Sequence, residues 1–96
     1  MRVSGGTRVK LKRLIYIRDG GHCCMCKRVV GLHDSELDHR MALQFGGDNE
    51  ESNLWTLCND CHKEKSSREA STGQPDIEAL NAVPNKQSKK DKTVII

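Results

Sequence analysis

Aromatic residues are scarce in this 96-residue chain, which has one tryptophan, one tyrosine and one phenylalanine (Trp55, Tyr16, Phe45). With a modest aliphatic content beside them, little apolar surface can be set against chain entropy, so one small domain is expected to need a staple. A run of ~18 apolar residues is also missing, which excludes a transmembrane helix and leaves no membrane partner. No secretory signal is read, so a cytoplasmic location is expected. Acids are absent from the first 18 residues, which carry Arg2, Arg8, Lys10, Lys12, Arg13 and Arg18. Residues 19–69 have six basic and ten acidic side chains, and residues 70–96 four lysines and three acids, which together give the net charge of +3. A basic arm beside an acidic centre suits a polyanion such as nucleic acid; on charge alone a solvated helix face explains it equally well.

Cysteine is what the chain has in excess, with five. Cys23 and Cys26 form one C-x-x-C pair and Cys58 and Cys61 another. The odd count and the paired spacing argue against a disulfide framework, and nothing else resembles a thioredoxin unit. Zinc is the expected staple. Four thiolates complete a tetrahedral Zn²⁺ and leave no open position, so the site is expected to be structural. Cys24 is a spare thiol, or one that exchanges for a neighbour as ligand. The 31 residues between the pairs exceed a simple zinc ribbon, and this insert contains Asp38-His39 and Asn53.

In chain order, apolar positions from Thr7 to Arg18 predict a basic amphipathic helix capped by Thr7, with a strand left open over Val9–Leu11. Asp19-Gly20-Gly21 ends it, because paired glycines accept a reversal. Glu36–His39 reads as a strand and Arg40–Ser52 as a loop marked by Gly46-Gly47. Leu54–Leu57 reads as the returning strand, with Leu54 and Trp55 in the core. Asn59 or Asp60 is expected to cap a helix over Cys61–Glu69. From Ser71 to Ile96 the polar composition and two prolines predict a mostly disordered tail, with a turn of helix at Asp76–Asn81 and an apolar end, Thr93–Ile96, that is a loose terminus or an edge partner. The domain is therefore expected over 1–70 and the tail over 71–96.

Asp38-His39, then Asn53 fourteen residues on, then His62 nine further inside C-x-x-C-H-x-x-K-S, resembles the HNH (ββα-metal) endonucleases, in particular small four-cysteine members of phages and prophages. The resemblance spans about Arg13 to Ala70 and includes the opening R-D-G-x-x-C-x-x-C, the Gly46-Gly47 pair and N-L-x-x-L-C at Asn53–Cys58. It implies a small α+β, treble-clef-like ββα-metal finger behind a basic N-terminal helix, in a bacterial host cell. It also implies that His39 is the general base, that Asp38 and His62 hold a catalytic divalent cation, and that Asn53 fixes the loop and orients His39. The chemistry agrees: imidazole takes a proton from water near neutral pH when its other nitrogen is held by an acceptor. One nitrogen and one oxygen ligand do not choose among Mg²⁺, Mn²⁺, Ni²⁺ and Zn²⁺.

The expected reaction is DNA phosphodiester hydrolysis to 5′-phosphate and 3′-hydroxyl ends, by nicking, with double-strand cuts when two chains pair. Arg40, Lys63, Lys65 and Arg68 are candidates for backbone contact, Arg40 and Lys65 first, each against a reading as solvated surface charge. The helix expected over Cys61–Glu69 is also expected to turn its first amides toward the phosphate. His22 and His33 read as solvent-facing histidines, and Trp55 as core rather than a stacking platform. The rival reading is a non-catalytic zinc module that binds nucleic acid or protein, and a third is an accessory subunit of a phage packaging machine.

Overall fold

The computed structural model describes residues 5–83 and residue 85. The order is helix α1 (Gly5–Arg18), strand β1 (Ser35–His39), strand β2 (Leu54–Cys58), helix α2 (Asn59–Thr72) and a short helix α3 (Ile77–Asn81), with single 3₁₀ turns at Leu32–Asp34, Leu43–Phe45 and Glu51–Asn53. This is the expected α+β arrangement, two strands and a helix behind a basic N-terminal helix. α1 begins two residues before Thr7 and stops where Gly20 and Gly21 take φ of 72° and 70°, a region glycine enters without strain.

β1 and β2 pair antiparallel from Ser35↔Cys58 to His39↔Leu54. Side chains alternate across such a ladder, so the cross-strand pair Asp38 and Trp55 shares one face, and Leu37 and Leu54 lie on the other. The Leu37–Leu54 face packs on Ile15 and Leu11 of α1. A second cluster joins Trp55 and Leu57 to Cys23, Cys24, Val30, Cys58 and Ala79. The thin hairpin is thus covered by α1 on one side and α2 on the other, and the cysteine turn is part of the core.

Two expectations are corrected. α2 starts at Asn59, and its N-cap is the Cys58 sulfur accepting from the Cys61 amide, instead of Asn59 or Asp60. Over the described residues past 70 the chain is not disordered: α2 runs to Thr72, and the turn of helix expected at Asp76–Asn81 forms as α3, which Asp76 caps through the Ala79 amide. Ala79 is buried in the core, Arg68 pairs with Asp76 at 2.6 Å, and Asn85 Nδ2 donates to the carbonyls of Asp19 and His22. Tertiary contacts that composition does not announce hold this segment. The apolar end at Thr93–Ile96 lies outside the described residues. Among the described residues, no helix is long and apolar enough to cross a membrane.

Candidate metal centre and catalytic cleft

The sulfurs of Cys23, Cys26, Cys58 and Cys61 converge, all within 4.8 Å of one another, and Cys26 Sγ stands 3.8 Å from Cys58 Sγ. A tetrahedron of sulfurs each about 2.3 Å from zinc has edges of about 3.8 Å, so this donor set fits the ion. Each pair is shaped by the same local device: the Cys26 amide points at Cys23 Sγ at 3.4 Å and the Cys61 amide at Cys58 Sγ at 3.3 Å. Burial pushes the Cys23 thiol up, but the amides of Cys26, Cys58 and Met25 outweigh it and bring the group down to about 7. Burial, then hydrogen bonds from the neighbouring thiols, hold Cys61 well above the usual thiol range. Four such groups carry full thiolate charge together only against a divalent cation. Cys24 stays out of the cluster, its backbone amide bound to the Thr56 carbonyl, and burial with the charge of Asp19 raises its thiol to about 11.

The first turn of α2 also brings His62 beside β1. His62 Nδ1 lies 3.3 Å from Asp38 Oδ1. An oxygen and a nitrogen each about 2.1 Å from one cation stand roughly 3.0–3.4 Å apart on neighbouring vertices of its sphere, so the pair fits a shared divalent ion. Asp38 is buried, and its other oxygen accepts from Trp55 Nε1 at 2.9 Å and approaches Lys65 Nζ at 3.1 Å.

His39 occupies the last rung of the ladder, one residue after Asp38 and so on the opposite pleat. Its Nε2 lies 2.7 Å from Asn49 Oδ1. Asn53 clamps the intervening loop: its Oδ1 accepts from the Met41 amide, and its Nδ2 donates to the carbonyls of Met41 and Asp48 at 3.0 and 2.9 Å. Gly47 completes that clamp, because a Cβ there would fall 1.8 Å from the Met41 carbonyl oxygen.

The basic residues divide differently from expectation. Lys65 is 2% exposed and cannot reach a phosphate, since it is enclosed by Asp38, Glu69 and the His39 carbonyl. Arg40 sits over the Trp55 ring at 5.1 Å and donates to the carbonyls of Ala79, Leu80 and Ala82. Arg68 is engaged by Asp76 and Glu78. Lys63 alone of the four is exposed. The helix amides are likewise committed in part, the Cys61 amide to sulfur. His33 is exposed, and His22 Nδ1 lies 2.8 Å from the Gly20 carbonyl. Sequence reasoning missed Asn49, the Trp55–Asp38 bond and the inward turn of Lys65; for the last, the spacing His62, Lys65, Glu69 was a signal, since it traces one helix face.

Residues 23–68 match the family model described as HNH endonuclease. No curated protein matches the chain. Among solved structures the chain is similar to the Type II-C Cas9 enzyme from Actinomyces naeslundii, with a TM-score of 0.57 and 21% identity, over 96% of this chain and 10% of that one. At that identity the likeness is one of fold, and the chain spans about a tenth of that enzyme's length.

Proposed function

We propose that this chain, whose residues 23–68 match the HNH endonuclease family model and whose four cysteines form a zinc-type cluster, hydrolyses DNA phosphodiester bonds as a metal-dependent nickase. The observation that carries this reading is the approach of Asp38 Oδ1 and His62 Nδ1 to 3.3 Å, with His39 the next residue along β1 and its ring held by Asn49. With Asn49 Oδ1 accepting from Nε2–H, the lone pair of His39 sits on Nδ1, where it takes a proton from an attacking water. A divalent cation, with Mg²⁺, Mn²⁺ and Ni²⁺ as the candidates, would be held by Asp38 and His62 and would supply charge stabilisation at the phosphate and the leaving 3′ oxygen. In-line attack then leaves 5′-phosphate and 3′-hydroxyl ends. Asn53 keeps the loop that bears Asn49 closed, which orients His39.

Nucleic-acid contact falls to Lys63 and to the basic surface of α1, where Lys10 and Arg13 are exposed, and not to Arg40, Lys65 or Arg68. Contacts of this kind are to phosphate, so weak sequence preference and steep salt dependence are expected. One centre per chain nicks; double-strand cuts need two chains, within a dimer or a larger nuclease or packaging complex. A non-catalytic zinc module has no use for Asp38, His39 and His62 together, which ranks it second. A plasmid-nicking assay decides: His39→Ala abolishes cleavage while zinc content and melting temperature stay at wild-type values. Wild-type protein that cuts nothing with Mg²⁺, Mn²⁺ or Ni²⁺ hands the case to the zinc module.

A further inference from the structure

We propose that Lys65 is a positioning residue that aims Asp38 at the divalent cation, an inference that rests on reading Asp38 and His62 as the holders of that ion. Lys65 is the largest fully buried side chain among the described residues. A buried ammonium persists only when its hydrogens find acceptors and its charge a counter-charge. Here its neighbours are the His39 carbonyl at 2.9 Å, Glu69 Oε2 at 2.9 Å and Asp38 Oδ2 at 3.1 Å.

Asp38 Oδ2 is therefore held from two sides, by Lys65 and by the Trp55 indole N–H. Such a carboxylate cannot rotate without breaking both contacts, so Oδ1 is left facing His62 Nδ1. Glu69 decides the electrostatics. Lys65 and Asp38 alone would cancel, and the cation would meet a neutral pair. With Glu69 added the group of three keeps one net negative charge, so Asp38 is oriented without losing its attraction for a cation. The same ammonium also grips the His39 carbonyl, which ties the backbone of the base to the helix that bears His62.

The test uses the zinc-loaded full chain. Lys65→Met combined with Glu69→Gln removes one positive and one negative charge and keeps the volume, so fold and zinc content are retained. Mn²⁺ affinity, read by electron paramagnetic resonance of the free ion, is expected to weaken about 10- to 100-fold, with a parallel loss of nicking. A folded double variant with wild-type Mn²⁺ affinity and nicking overturns the proposal. If the double variant fails to fold, the wild type answers: in ammonium-detected NMR the Lys65 Nζ resonance moves on Mg²⁺ addition, with the midpoint at which cleavage is activated. A resonance that stays fixed while cleavage switches on overturns it equally. Wild-type protein that neither binds Mn²⁺ nor cuts DNA removes the nuclease reading itself, a result distinct from intact binding and cleavage in the variant.

Discussion

Asn53 does its work through three hydrogen bonds to the backbone of the loop between the strands, and none of them is to a group expected to react. Its replacement by alanine leaves the Met41 amide and two carbonyls without their partner, which costs about 1–3 kcal/mol if water does not restore them. Asn53→Ala is therefore expected to lower the urea midpoint and to slow nicking while zinc stays bound. Gly47→Ala acts on the same loop by collision, because its new methyl group has no room beside the Met41 carbonyl. The loop must open to relieve it, and the expected result is a loss of nicking, with local hydrogen exchange at 41–49 rising while α2 stays protected. Much of this was legible at the residue scale: an amide side chain at position 53 and paired glycines in the loop announce a fixed turn. Asn49 was not, because an asparagine in a polar loop looks like its neighbours until the loop closes and brings it onto His39.

At the scale of elements, α3 is held by side chains that sequence reasoning had assigned to nucleic acid. Five residues cannot sustain a helix alone, so α3 exists through Asp76 at its start and the Arg40 guanidinium at its end. Arg40→Ala is expected to destabilise the protein by roughly 1–3 kcal/mol in urea and to expose the amides of 77–82 to exchange. The Arg68 guanidinium beside Asp76 holds that carboxyl below its usual range, and burial opposes the shift. A depressed folded pKa gives stability that is present above the unfolded value of about 3.9 and is lost as pH falls through the folded one. Asp76→Asn is thus expected to be markedly less stable than wild type at pH 6, with the gap closing as pH falls below the ordinary carboxylate range; a gap that stays constant with pH would rule the pairing out as its source. The helix itself was visible in the residues at 76–81, but its docking was not, since the arginine that anchors it lies some forty positions earlier.

For the whole molecule the four-cysteine cluster links the parts. It joins the first cysteine turn to the end of β2 and the start of α2, and α2 carries both His62 and Lys65. Chelation of zinc, or Cys58→Ser, is expected to unfold the domain cooperatively instead of merely silencing it, as seen by loss of helical circular dichroism. A folded, monodisperse apo-protein would show that the apolar clusters suffice without the ion.

The amino-acid order by itself determined the pairing of the four cysteines, the two strands and the helix that follows them, and it singled out Asp38, His39, Asn53 and His62 as candidates, because ligand spacing, glycine pairs and apolar alternation are local properties of the chain. Only the tertiary structure decided which cations face water. Whether a lysine or arginine meets solvent or a carboxylate depends on what the packed helices put opposite it, and for Arg40, Lys65 and Arg68 those partners are a helix end, a buried acid pair and a cap.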